Sequence, residues 1–290
     1  MRYRVRHSTT YRYATPVDLA GHMLHLRPRG LPGQIVIEAS VTASPEPART
    51  NAAVDHFGNH VGWMFLDRAH ERFEVTLEAE VEVEFVRPPE ISATPAWEIV
   101  AEAARAGGAG SWAASEFLFD SPMLPAEPAA GVYAAPCFQP GRPILAVVLE
   151  LNGRIRKEFS FKGGVTNLNT PVSRVLSLRA GVCQDFTHLM IAALRAHGIP
   201  ARYVSGYLRT RPPPGQVARR GADQSHAWVS AWLGPEHGWI DLDPTNDLVV
   251  RDEHVVLAWG RDYGDISPVR GVILGGGRHG VMVSVDLEAV

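Results

Sequence analysis

The sequence is poor in cysteine, in long apolar runs and in surplus positive charge. Only two cysteines, Cys137 and Cys183, occur in 290 residues. That is too few for a disulfide framework, and a reducing cytoplasm is the natural setting for such a chain. No stretch approaches the roughly 18 apolar residues of a membrane-spanning helix. Residues 1–16 are charged and polar where a secretory signal needs an apolar segment, so the expected location is cytoplasmic. The formal charge of −3 gives no cationic surplus to attract nucleic acid or an anionic membrane. Internal repeats and low-complexity tracts are also missing. What is plentiful is core material: 46% of the residues are apolar, enough for one large domain or two.

The first third reads as β structure. In residues 73–85, Phe73, Val75, Leu77, Ala79, Val81, Val83 and Phe85 alternate with Glu74, Thr76, Glu78, Glu80, Glu82 and Glu84, the period of a half-buried strand with an acidic outer face. Residues 3–13 and 35–43 read as further strands, and Asp55-His56-Phe57-Gly58-Asn59 as a turn between two more. An antiparallel β sandwich over residues 1–86 fits this pattern. Residues 87–140, rich in Ala, Gly and Pro, read as a crossover segment with a short helix at 97–106 ended by Gly107-Gly108. A second helix is expected at 144–157. Residues 141–250 then form an α+β core, and residues 251–290 a C-terminal β segment that returns to one of the two domains.

In that core, Phe186, Leu189, Met190, Ala193 and Leu194 follow the spacing of one helix face, and Gly198 and Pro200 stop the helix. Cys183 therefore lies at or near the helix N-terminus. Strands are expected at 202–208, 226–233 and 239–243, with a long Arg-bearing connection from Pro212 to Asp223 between the first two. A thiol attacks a carbonyl as thiolate, and unpaired N–H groups at a helix start favour that anion. His226 can take the thiol proton and return it to a leaving amine, and Asp243 can fix the imidazole through its other nitrogen. Asp241 is a rival for that place, but Asp243 leads into Pro244 and fits better. The backbone N–H of Cys183 would supply half of an oxyanion hole. His226 and Asp243 differ in parity, so a hairpin whose paired residues sum to an odd number puts both on one face. A two-residue loop at Gly234-Pro235 would set them directly opposite.

Taken singly these residues have ordinary explanations. A lone helical cysteine is usually a small buried hydrophobe, a lone strand histidine is usually structural, and an Asp before Pro is usually turn chemistry. Cys137 lies in a Pro-rich loop without a nearby base and reads as structural. No metal is expected: His56 and His60 are four apart, but Gly58-Asn59 between them opposes a helix. Calcium is not implied either, since no acidic loop of the required kind is present.

Three blocks in order, Gly181-Val182-Cys183-Gln184-Asp185-Phe186, His226-Ala227-Trp228-Val229 and Gly238-Trp239-Ile240-Asp241-Leu242-Asp243-Pro244-Thr245, resemble the catalytic blocks of the transglutaminase-like superfamily. Residues 7–13, 25–29 and 55–59 look like the N-terminal β domain of bacterial transglutaminase-like proteins, and residues 260–272 like that group's C-terminal segment. The resemblance implies a papain-like core, Cys183 as nucleophile, His226 as base and Asp243 as orienting acid, with no cofactor. It also implies a thioester acyl-enzyme formed on a peptide or protein amide. Gln184 and Ser230 differ from the tryptophan and the acidic residue of animal tissue transglutaminases, which points away from protein cross-linking. The expected activity is that of a transglutaminase-like cysteine peptidase or amidase, with hydrolysis ahead of protein-glutamine transamidation. The reading from another class is a non-catalytic peptide-binding module on the same fold. Trp228, Tyr263 and Asp265 are the candidate substrate-binding residues.

Overall fold

The alternating stretch folds as strand β5 (His70–Val83), with Phe73, Val75, Leu77, Ala79, Val81 and Val83 all buried. The computed structural model describes residues 1–210 and 224–290, and so the Pro212–Asp223 connection lies outside the described residues. The long strand β1 (Arg2–Leu24) organises the N-terminal sheet. Along one edge of β1 lie β5 and β4 (His60–Leu66). Outside these, β2 (Gln34–Ser44) pairs with β5, and β3 (Arg49–Val54) pairs with β4. All pairings are antiparallel. The successive strands β2–β3 and β4–β5 thus run as long ribbons beside β1, and the pairing breaks near residues 45–48, 67–69 and 13–16. Pro45, Pro47 and Pro16 fall on that line, where a missing N–H does least harm to a ladder. The expected antiparallel β domain is therefore one curled sheet whose two halves enclose a core.

The segment at 87–140 is a folded part of the molecule. Helix α1 (Trp97–Ala106) ends at Gly107 in a left-handed cap with φ 62°, the conformation glycine adopts without strain. Short helices α2 (Trp112–Ser115) and α3 (Pro128–Ala134) follow, the latter capped by the Glu127 carboxylate on Ala129 N–H. Helix α4 (Ile144–Glu158) leads through β6 (Ser160–Phe161), α5 (Val172–Leu178) and β7 (Ala180–Gly181) into α6 (Cys183–Ala196). Helix α6 is buried on every side from Asp185 to Leu194, so its apolar stripe is only part of a wholly enclosed central helix. Among the described residues, no helix is long and apolar enough to cross a membrane.

After α6 come β8 (Ala201–Leu208), β9 (Gln224–Trp232), β10 (Trp239–Asp243), β11 (Leu248–Val249) and β12 (His254–Gly260), an antiparallel sheet of order β11-β10-β9-β8-β12. Ala227, Val229, Ala231 and Leu242 join the main core with Phe186, Leu189 and Met190 of α6. Val204, Trp228 and Val256 form a second cluster with Leu31 and Trp259. The last two strands, β13 (Val269–Gly275) and β14 (His279–Ala289), go back to the N-terminal sheet and line the free edge of β1. They follow the same bend, broken at residues 276–278.

Two buried amides join the halves. Gln34 accepts from Val256 N and donates to Val256 O, both at 2.8 Å, while Asn59 accepts from Trp259 N at 3.0 Å and donates to Trp259 O at 2.8 Å. β12 is an edge strand, and these amides give its backbone the partners a neighbouring strand would. The Asp55–Asn59 turn, with Gly58 at φ 79°, presents Asn59 by accepting its N–H and its side-chain N–H on the Asp55 carboxylate. Asn59→Ala leaves Trp259 N–H and C=O buried and unpaired, and we expect a loss of about 1–3 kcal/mol per group in denaturant unfolding. A change below about 0.5 kcal/mol, the size of an ordinary surface substitution, would show that the clamp contributes nothing.

Candidate active site

Cys183 is the first residue of α6, where its backbone N–H has no acceptor within the helix. The preceding turn is fixed by Asp185, whose Oδ2 accepts from Val182 N and from Thr166 Oγ1, each at 2.7 Å. Gly181 makes this possible, because a Cβ there would lie 2.6 Å from Asp185 Oδ2. Burial raises the Asp185 pKa despite these two hydrogen bonds. The half-buried Cys183 thiol lies close enough to the His226 imidazole to raise its pKa.

His226 Nε2 donates to Asp243 Oδ2 at 2.8 Å, leaving Nδ1 for the thiol. Gly206 pairs with His226 across β8 and β9, and a Cβ there would fall 2.1 Å from Val255 O and 2.4 Å from the Trp228 ring. The His226–Asp243 pair is diagonal rather than directly opposite. Trp239 pairs with Trp232 and Leu242 with Val229, so continuing the ladder sets Asp243 against Trp228. The reason is the loop, which is longer than two residues: Leu233 N donates to Gly238 O at 2.7 Å and Gly238 N to Gly234 O at 2.9 Å. Parity still places both side chains on one face.

Asp243 is fully buried, and both of its oxygens are occupied. Oδ2 accepts from His226, from Asn246 Nδ2 at 2.7 Å and from His254 Nε2 at 3.4 Å, and Oδ1 from the backbone of Thr245 and Asn246 at 2.9 and 3.2 Å. Burial pushes its pKa up, but the hydrogen bonds from His226, His254 and Asn246 outweigh that and hold it well below the usual carboxylate range. The same balance acts on His226. Burial lowers its pKa, yet the Asp243 carboxylate and the Cys183 sulfur raise it to about 10. The group is thus suited to carry a proton as imidazolium.

His254 and Asn246 were not visible as site residues in the sequence. Asn246 follows Asp243 in the same turn and could have been found from that proximity, whereas nothing local marks His254. Two imidazoles and a carboxylate whose donor atoms lie within 4.8 Å also make a set that zinc can use. An ion there would displace the proton of His226, so metal binding and thiol chemistry at this place exclude each other.

The other candidates are placed differently. Trp228 is fully buried, with its indole N–H donated to Asp241 Oδ2 at 2.9 Å; it offers no surface to a substrate, and Asp241 is thereby separated from His226. Asp265 is held by Arg261 through two side-chain hydrogen bonds of 2.9 Å and a backbone one of 2.9 Å. Tyr263 packs beside Tyr203, with the rings 6.1 Å apart. The Tyr203 phenol is driven well above its ordinary pKa by burial and then by the neighbouring Cys183. Cys137 is fully buried, 3.7 Å from Arg154 Nη1, and burial raises its pKa.

A helix-initial thiol, a strand-borne imidazole and a buried carboxylate thus come together on an α+β core. Comparison with known proteins agrees: the bacterial transglutaminase-like N-terminal region matches residues 3–82 and the transglutaminase-like superfamily core matches residues 133–244. An uncharacterized protein of Mycobacterium tuberculosis is 39% identical over 99% of this chain and 92% of its own length. A protein-glutamine gamma-glutamyltransferase of Pseudomonas aeruginosa is 35% identical over 34% of this chain and 15% of its own length. In fold, a crystal structure of a candidate cysteine protease from Cytophaga hutchinsonii superposes with a TM-score of 0.75 at 21% identity, covering 99% of this chain and 90% of that one. The chain belongs to the transglutaminase-like superfamily.

The electrostatics can be tested directly. In an NMR titration, the His226 ring should hold its proton to about pH 10. In Asp243→Asn, which removes the charge that holds that proton, the midpoint should fall toward the ordinary 6.5. A wild-type midpoint already near 6.5 would mean that the carboxylate does not control the imidazole.

Proposed function

We propose that the chain is a thiol hydrolase of amide or peptide bonds that works through a thioester. The observation that carries this reading is the His226 imidazole bonded to the Asp243 carboxylate with the Cys183 sulfur beside it. The Cys183 thiolate adds to the amide carbonyl carbon, and the oxygen takes up the negative charge. The Cys183 backbone N–H, unpaired at the helix start, stabilises that oxyanion. As the C–N bond breaks, the leaving amine receives its proton from His226 and departs, leaving the acyl group on sulfur. Water then attacks the thioester while His226 accepts its proton, and the thiol is restored as the acid leaves. Throughout, Asp243 keeps the imidazole oriented and charged when it must be.

Water needs no acceptor pocket, which is why hydrolysis is the first reading. The stretch of similarity to the Pseudomonas protein-glutamine gamma-glutamyltransferase supports transamidation as the second, with an amine in place of water. Peptide, isopeptide and glutamine-carboxamide substrates should be screened in H₂¹⁸O with a fluorescent primary amine present. Uptake of ¹⁸O into the product acid is expected. Exclusive capture of the amine would replace hydrolysis by transamidation. Cys183→Ala and His226→Ala should each lower turnover by about 10³-fold or more while the fold is kept, because residues of such a unit fail together. Turnover retained in Cys183→Ala would remove the proposal.

A further inference from the structure

Between the catalytic sheet and the N-terminal domain lies a cavity of about 530 Å³, within the range of small-molecule sites. Cys183 and His226 are not among its lining residues, so its occupant is not the bond that the thiol attacks. Arg202 of β8 reaches into it. The guanidinium carbon lies 4.2 Å from the Trp239 ring centre and 3.7 Å from that of Trp259. With the guanidinium carbon over two indole rings, what remains for bonding is its fork of N–H groups. That fork has no taker. Arg202 makes no hydrogen bond or ion pair among the described residues, and its Nε is buried without a partner. Arg29, which stacks on the same Trp259 at 3.2 Å, instead donates to Phe57 O and Asn59 Oδ1. Burial draws the Arg202 pKa down to about 9, which leaves the group charged at neutral pH.

A largely buried cation without a hydrogen-bond acceptor among the described residues is costly, and an anion with two coplanar oxygens answers both its charge and its shape. The surrounding charges permit this. Arg251 lines the same space, and Arg29 is near enough to depress the Arg202 pKa. The opposing groups are Asp241, which attracts Arg202 but spends Oδ2 on Trp228, and Glu84, which is exposed. The rest of the lining is largely apolar, including Leu31, Val83, Phe85, Val86 and Val256. We propose that this cavity is a second binding site, for a small carboxylate on an apolar body, held by the in-plane fork of Arg202.

Isothermal titration calorimetry on the full chain, with benzoate as probe and neutral benzamide of the same shape as control, tests the charge. Phenyl phosphate tests the shape of the anion. Benzoate should bind at least about tenfold more tightly than either, and Arg202→Met should lose that preference, as when one partner of a buried charge pair is removed. Benzoate binding no tighter than benzamide, or unchanged in Arg202→Met, overturns the proposal. Tighter binding of phenyl phosphate overturns the carboxylate assignment. Should Arg202→Met not fold, the wild-type Arg202 Nε–H signal in an NMR titration serves instead. It should move with benzoate and not with benzamide, and an unmoved signal refutes the site.

Discussion

The buried carboxylate of Asp243 is the interaction on which the site depends. It accepts hydrogen bonds from two histidines, one asparagine side chain and two backbone N–H groups. This fixes the end of β10, the turn after it, the imidazole of β9 and the first residue of β12 together. Its cost is the desolvation of a charge, tolerable only because every lone pair is used. The linkage to pH has two signs. The depressed Asp243 pKa contributes stability that is present above the unfolded value of 3.8 and is lost as the pH falls below it. The raised His226 pKa contributes stability that is complete below 6.5 and is lost as the pH rises through about 10. The pair is therefore fully coupled over the neutral range in which a thiol enzyme works.

The two halves of the molecule are bound to each other at both ends of the chain. β13 and β14 complete the N-terminal sheet after the catalytic sheet has been made, and so neither half is finished without the other. Gln34 and Asn59 then hold the edge of β12, the strand that begins with His254. A displacement of the N-terminal domain would pull on the strand that carries one of the Asp243 partners. His7 adds a further tie, its Nδ1 2.7 Å from the Tyr207 hydroxyl on β8. The turn at residues 55–59 and the histidine at position 7, legible only as motifs, thus have a structural meaning: they support the catalytic sheet from the other domain.

Where local periodicity carried the information, the sequence was readable. Helix α1 and strand β10 have the expected limits, since a left-handed glycine and a proline turn punctuate them. The order Cys183, His226, Asp243 was legible because the residues around each one repeat a known pattern. Three things were not. The helices α2 and α3 are too short for a period to emerge, and the Ala, Gly and Pro of that region read as a connection. The diagonal register of β9 and β10 depends on the loop conformation, which residue types alone do not determine. His254 reaches Asp243 only through the pairing of β12 with β8, a contact fixed by sheet order and invisible to local spacing.

The helix start and the imidazole were both expected to act on the thiol, and they differ in physical kind. A helix N-terminus stabilises an anion by roughly 0.3–1 kcal/mol, and up to about 2 kcal/mol in partly buried places. Here the first turn is already shared, because Asp185 stands two residues after Cys183 and takes the Val182 N–H. Two anions in one turn repel each other. Burial raises the Asp185 pKa, against the two hydrogen bonds that lower it. The dipole of that turn is thus divided between two side chains. The neighbouring histidine, whose pKa is raised to about 10 by Asp243 and by the sulfur itself, acts by contrast locally. The helix start therefore places the sulfur, while the Asp243 carboxylate at the far end of the series keeps the proton on the imidazole beside it.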